Sequence, residues 1–343
     1  MGLVSPAKAE NIKGRGQKLA APFNAGGTML AYTLRRIVIF VPTLFITLTL
    51  IFVLTRMLPG SPVASLLGGQ SVNSEMLDQV SRELGFDRPI FVQYVEWLPR
   101  ILTGTFGDSL FFTKPVSEVL MQRFPVTLWL TIFALILTIV VGIPLGILSA
   151  IRRGSFLDYI GNIVSSIGMA LPPFWLGFVL ILVFAVDLKW LPSSGYRPIE
   201  MGLWPWLSRL ILPTIALSLS QIGLIVRMTR STMLEVLDTE YVGMARAKGM
   251  PEQIVIIRHA LRNAMVQIIT AIGLLFALGL GGSVIIEQVF ALPGLGELIT
   301  TAAIRRDYAT IEAGIFFLTL TALVVNLLVD VAYAYFNPRV RLA

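Results

Sequence analysis

Few side chains in this sequence can do covalent or metal chemistry. There is no cysteine and a single histidine, His259, which excludes thiol nucleophiles, disulfides and multi-histidine metal sites. No His-Glu-x-x-His pair or Gly-x-Ser-x-Gly elbow occurs, and without a Gly-Lys dipeptide there is no P-loop lysine to grip a phosphate. What remains is recognition. The densest run of charged, aromatic and small residues is Glu235 to Gly249, continued by Met250 to Ala264. It reads as two helical stretches broken at Gly249-Met250-Pro251. Leu234, Leu237, Tyr241 and Ala245 share one face of the first stretch, with Arg246 and Lys248 directed elsewhere. Ala245, Ala247 and Gly249 are small enough for another backbone to approach. An apolar knob with small flanks and basic edges suits insertion into a groove on a partner. A loop helix resting on lipid headgroups fits the same residues. The lone His259 reads as structural.

The elements that must position this run are set by composition. Of 343 residues, 55% are hydrophobic and 14% charged, against about a quarter charged in soluble domains. That much apolar surface requires lipid as solvent. The net charge of +7 does not indicate nucleic acid, because the basic residues lie beside hydrophobic runs. Uncharged windows mark six spans: Ile37–Thr55, Phe124–Ile151, Tyr159–Val186, Leu210–Val226, Asn263–Ile286 and Ala313–Val329. An N-terminus inside places Arg35, Arg36, Arg152, Arg153, the Arg227–Arg262 loop, Arg339 and Arg341 on the cytoplasmic side. Both termini are then cytoplasmic.

Residues 1–30 form a basic tail expected to be disordered, and 31–57 hold the first span. The outer segment 58–122 is too long for a plain connector. Asn73 or Ser74 can cap a helix with Leu77, Val80 and Leu84, stopped at Gly85. A second amphipathic helix places Phe91, Tyr94, Val95, Leu98 and Ile101 on one face. Packing on the chain's own helices and docking a soluble partner both fit this cap. Residues 123–336 hold the remaining spans and 337–343 a cytoplasmic C-terminus.

Candidates for a passage lie in spans three and five. Pro172-Pro173-Phe174-Trp175 should break span three within the membrane, where freed backbone groups need protein or water. Span five carries Gly279, Gly282 and Ser283, which serve either close packing or a path. Glu287 at its outer end can meet a cationic substrate group or pair with Arg305 or Arg306. Asp330 in span six is expected to be neutralised by Arg339 or Arg341.

The run Glu240-Tyr-Val-Gly-Met-Ala-Arg-Ala-Lys-Gly249, followed by His259-Ala-Leu-Arg-Asn-Ala264, resembles the coupling-helix signature of the dipeptide, oligopeptide and nickel branch of ABC importer permeases. Leu34-Arg35-Arg36, Leu58-Pro59-Gly60-Ser61-Pro62, Leu191-Pro192-Ser-Ser-Gly195-Tyr196, Val289-Phe290-Ala-Leu-Pro293-Gly294-Leu295-Gly296, Arg306-Asp307-Tyr308 and Asn337-Pro338-Arg339-Val-Arg341 recur at matching places. Two departures stand out. Gln267 occupies the place of a usual proline, and Gly104-Thr105-Phe106-Gly107 lacks a usual acidic residue.

This resemblance implies an all-α integral membrane protein with six transmembrane helices, a type I ABC importer permease fold with an extended outer segment, and a coupling helix over about 235–250. Glu240, Tyr241, Ala245, Arg246, Ala247, Lys248 and Gly249 would contact an ATPase, while His259, Arg262 and Asn263 fix the return into span five. Pro172, Phe174, Gly279, Gly282, Ser283 and Glu287 are the path candidates. The implied partners are a homologous second permease, two cytoplasmic ATP-binding subunits carrying ATP and Mg2+, an extracytoplasmic substrate-binding protein and membrane lipid. The chain itself would be a transport subunit of the inner membrane, with no enzymatic activity or cofactor of its own. The implied cargo is a dipeptide or oligopeptide, with nickel chelates, glutathione-like peptides, opines and short sugars as alternatives. An ion-coupled secondary transporter would instead need paired ionisable residues at the midplane and an internal repeat.

Overall fold

The computed structural model describes residues 29–57, 74–83, 85–109 and 111–336. Most of the basic tail, the Leu58–Pro62 turn and the Asn337–Arg341 run lie outside the described residues. Helices in chain order are α1 (Met29–Arg56), α2 (Ser74–Glu83), α3 (Ile90–Leu102), α4 (Val116–Ile151), α5 (Phe156–Ala170), α6 (Pro173–Asp187), α7 (Leu203–Leu237), α8 (Glu240–Ala247), α9 (Glu252–Val289), α10 (Leu295–Arg305) and α11 (Tyr308–Phe336). Among the described residues the only β pairing is an isolated bridge between Asp108 and Pro115.

Five of these helices, α1, α4, α7, α9 and α11, are long and apolar enough to cross a membrane. The expected third span is α5 and α6, which meet at 101° and make a sixth span if taken together. The bend sits where the sequence places it. Pro172 and Pro173 lack amide hydrogens, and Leu171 before them is extended (φ −85°, ψ 125°). The helix that carries span four, α7, is far longer than the uncharged window. Arg209, Arg227, Arg230 and Glu235, which bounded that window or fell in the expected loop, all ride on α7.

Helix α7 is the axis of the bundle. Leu210, Ala216, Leu217, Ile225 and Met233 on it are buried against α4, α5 and α9. Helices α5 and α7 cross backbone to backbone. A methyl group on Gly168 or Gly223 would run into the facing main chain, and the Ser165 hydroxyl donates to the Gly223 carbonyl at 2.8 Å. Nearby, buried Asp158 accepts both Arg230 N–H groups (2.6 and 2.9 Å) and the Gly154 amide (2.9 Å). This locks the α4–α5 turn to α7, at the end of the bundle that carries α8.

The opposite end is organised by Arg56. Its guanidinium meets Glu312 of α11 at 2.6 Å and Gln93 of α3 at 3.1 Å, and it lies over the rings of Phe52, Phe86 and Tyr308. Helix α3 therefore packs on the chain's own helices. Tyr94 shares a hydroxyl hydrogen bond with Thr49 at 2.8 Å, and Trp97 packs on Phe52. The inward face is Gln93, Tyr94, Trp97, Leu98 and Ile101. Phe91 and Val95, expected on that face, are 75% and 52% exposed. Arg56 recruits Gln93 and Phe52 recruits Trp97, which rotates the helix away from the face that hydrophobicity alone selects. Gly85 follows α2 in the left-handed region (φ 73°), as a stop requires. Asp330 pairs with Arg36 of α1 at 2.9 Å; Arg339 and Arg341, expected to neutralise it, lie outside the described residues.

Glu312 is 4% exposed, so removing its partner strands a buried charge. Arg56→Met should destabilise the detergent-solubilised protein by about 3 kcal/mol or more. Arg56→Met with Glu312→Met should recover most of that loss in thermal unfolding.

Candidate functional site

The recognition run folds as α8, and its limits are narrower than the sequence suggests. Residues 235–237 are the last turn of α7. Thr239 is extended (φ −74°, ψ 146°), which breaks the helix and resets its phase before Glu240. Leu234 and Leu237 therefore belong to the end of α7 and do not share a face with Tyr241. The buried face of α8 is Val242 and Ala245, held against Val255 with Leu237 and Met250 around them. Ala245 is 5% exposed. It supports the helix from below and is closed to a partner.

Helix α8 ends in a closed turn. The Gly249 amide donates to the Arg246 carbonyl at 2.9 Å and the Met250 amide reaches back to the Ala245 carbonyl at 3.4 Å. Gly249 is left-handed (φ 76°), and Met250 covers Ala245. This is the Schellman arrangement. Gly249 is small because its backbone must adopt a conformation that costs other residues about 1–2 kcal/mol. Across the turn, Arg246 meets Glu252 at 2.7 Å, and this hydrogen-bonded carboxylate raises the guanidinium pKa above its ordinary value. Arg246 is a permanent cation.

A second tie joins α8 to α9. The Tyr241 hydroxyl donates to the His259 carbonyl at 2.9 Å, and the Asn263 amide donates both to that hydroxyl and to the same carbonyl (3.0 Å). His259 contributes its main chain, from a π-helical turn over Val255–Leu261. Arg262 is exposed and outside this network. Gln267 accepts a hydrogen bond from Thr232 at 2.7 Å, so this departure from the family pattern adds a link between α7 and α9.

The exposed face of α8 carries Glu240, Tyr241, Gly243, Met244, Arg246, Ala247 and Lys248. Gly243 and Met244 are absent from the residues read as contacts. Met244 is 58% exposed and a side chain at Gly243 would meet open space. Counting the helical period from Glu240, and not from Leu234, would have found both. The small stripe open to a partner is Gly243 and Ala247.

The residues proposed for a passage do not come together. Pro172 and Phe174 are exposed at the α5–α6 bend. Gly279 packs against Gln221 and Thr131, Gly282 against Leu217, and Ser283 is fully buried with its hydroxyl donating to the Leu280 carbonyl. Glu287 is fully buried too, and its partners are not Arg305 or Arg306. Its carboxylate accepts Thr127 Oγ1 (2.6 Å) and the amides of Gly296 (2.7 Å) and Glu297 (3.0 Å), at the start of α10. It caps that helix, whose N-terminal partial charge and open amides favour an anion. A side chain at Gly294 or Gly296 would collide with it.

A cavity of about 900 Å3 lies elsewhere, between α5 and α7 beside the α8 end, lined by Asn162, Ser166, Arg227, Ser231, Glu235 and Asp238 among others. Sequence reasoning assigned the last four to a loop and so missed it.

The chain matches two family descriptions. Residues 142–342 match the binding-protein-dependent transport system inner membrane component, and residues 29–131 its N-terminal membrane component. It is 41% identical over 313 residues to a protein of Brucella abortus described as a peptide transport system permease, covering 91% of this chain and 99% of that one. It is 39% identical over 313 residues to the glutathione transport system permease protein GsiC of Salmonella choleraesuis, with the same coverage. A chain of the inward-facing MetNI methionine ABC transporter superposes with a TM-score of 0.54 at 18% identity, over 65% of this chain and 98% of that chain. That likeness is one of fold.

Gly249→Ala should loosen the end of α8 without unfolding the bundle. Hydrogen exchange of the Val242–Lys248 amides should speed up about tenfold, from about 1–2 kcal/mol of left-handed strain, and less for Gly249→Asn. Unchanged exchange would show that the glycine conformation does not hold the turn.

Proposed function

The chain belongs to the family of binding-protein-dependent transport system inner membrane components, and from that premise we propose that it carries short peptides inward by alternating access, as one of a pair of permease subunits. The end bearing α8 faces the cytoplasm, and both termini lie on that side. Two ATP-hydrolysing subunits bind below the pair, one against each permease, and a substrate-binding protein delivers cargo to the opposite end. The peptide assignment draws on the relatives: one is described as a peptide permease and another as a glutathione permease, and glutathione is itself a tripeptide.

The observation that carries the coupling role is the build of α8. It is a short helix with an exposed methionine and small-residue stripe, clamped from behind to the ends of two long spans. A groove that moves with nucleotide state would move α8, and α8 would move α7 and α9. Shifting a conformational balance from 1:99 to 99:1 takes about 5.5 kcal/mol of differential binding, which nucleotide binding to the partners would supply. This chain's own residues transmit that work. The buried Val242–Ala245–Val255 contact resists compression, and the Tyr241–His259–Asn263 bonds resist sliding.

Gly243→Trp tests this directly, since position 243 is open in the isolated chain and should be closed in the complex. In proteoliposomes holding both permeases, both ATPases and the binding protein, overpacking worth about 1–3 kcal/mol should cut ATP-driven dipeptide uptake about tenfold. The variant should still insert, and the ATPases should still turn over. Full cargo-stimulated uptake by Gly243→Trp would remove α8 from the coupling path.

A further inference from the structure

Charged groups on the spans fall into two kinds. Arg36 with Asp330, Arg56 with Glu312 and Asp158 with Arg230 are paired within the chain. Arg227 and Glu235 on α7 are exposed and make no ion pair among the described residues. Glu235 only accepts a 3.4 Å hydrogen bond from Ser231. Arg258 and Arg262 near the start of α9 are exposed as well, but further along the spans the exposed stretches are apolar: Ile163 and Ile167 on α5 are 55% and 48% exposed, and Leu274, Leu278 and Ile285 on α9 each 52%. Such faces suit lipid. Arg227, Ser231 and Glu235 recur every fourth residue and line the 900 Å3 cavity with Asn162 and Ser166 of α5. Ionised groups without an ion pair need water or a polar partner.

We propose that this face is the cytoplasmic half of the cargo passage, and that it reads a zwitterionic short peptide by both ends, Arg227 taking the carboxylate and Glu235 the ammonium. The inference rests on the transport reading above and adds the residues and the charge chemistry. Spacing supports it. Eight residues of helix separate the two groups by about 12 Å, and an extended tripeptide spans about 10–11 Å, with long side chains to close the gap. The cavity is within the range of small-ligand sites, about 300–1,000 Å3. Arg230 lines it too, but Asp158 already holds that guanidinium through two hydrogen bonds, leaving Arg227 as the deeper cation. It sits ten residues, or about 15 Å, from the end of α7. Asp238, nearer the mouth, adds a second carboxylate on the ammonium side.

The cysteine-free chain gives a clean background for the test. In nucleotide-free proteoliposomes of the full complex, Ser231→Cys should react with a membrane-impermeant thiol reagent supplied on the α8 side, and Ile163→Cys should not. Trialanine and S-methylglutathione, which has no free thiol to consume the reagent, should each slow the Ser231→Cys reaction. Adding Arg227→Gln should weaken protection by trialanine about tenfold, the worth of a charge-assisted contact, while leaving protection by trialanine amide unchanged. Adding Glu235→Gln should do the same for trialanine against N-acetyl-trialanine. The proposal is overturned if Ser231→Cys does not react, if neither peptide protects it, or if either charge variant affects the free and blocked peptides alike. ATP-driven uptake by vesicles of the unsubstituted complex scores the transport reading separately.

Discussion

The joint between α8 and the two spans it separates is the interaction on which the rest of the structure depends. A helix of eight residues has almost no stability of its own. It persists because Val242 and Ala245 are buried against Val255, because a left-handed glycine closes its last turn, and because Tyr241 and Asn263 converge on one carbonyl of α9. Each tie leads to a long helix: Leu237 continues α7, and Val255, His259 and Asn263 belong to α9. Thr232 and Gln267 then join those two helices. Force applied to the exposed face therefore reaches the middle of the bundle through rigid elements.

The membrane sorts the remaining polar groups by the same physics. In a medium without water, a polar side chain is either satisfied inside the chain or marks a place where something else satisfies it. Glu287 at the head of α10, Glu312 beneath Arg56 and Asp158 beside Arg230 are of the first kind, and all three fix where helices meet. On the reading proposed above, Arg227 and Glu235 are of the second. The same helix, α7, thus carries both the bundle's core contacts and the polar face, so in the mechanism proposed above motion delivered at α8 would alter the cavity without an intermediary.

Much of this was legible in the sequence. Lack of charge located the five long apolar helices and the bent α5–α6 pair, Pro172-Pro173 located the bend, and the Glu240–Gly249 run located α8. What misled was the equation of charge with loop. Arg227, Arg230 and Glu235 were read as loop residues, whereas all three ride on α7, and that hid the cavity. The phase of α8 was lost because Thr239, a favoured N-cap residue type that starts a new helix here, was read through as part of one continuous run, so Ala245 was read as exposed and Met244 was passed over. Glu287 was misjudged because its partners, Thr127 and the Gly296 and Glu297 amides, come from separate elements, and main-chain donors leave no mark in a sequence. Trp97 and Gln93 on α3 illustrate the same limit, since tertiary partners decide which face of an amphipathic helix turns inward.

The rigidity of the joint is open to one direct measurement. Spin labels at Lys248→Cys and Arg258→Cys, both exposed and on opposite sides of the Gly249–Pro251 turn, would report its geometry by double electron–electron resonance in the assembled complex. The account predicts a single narrow distance distribution that stays the same in nucleotide-free and ATP-trapped states, with α8 and α9 moving as one body. A distribution that shifts or broadens when ATP binds would show α8 flexing on its own, and would contradict it.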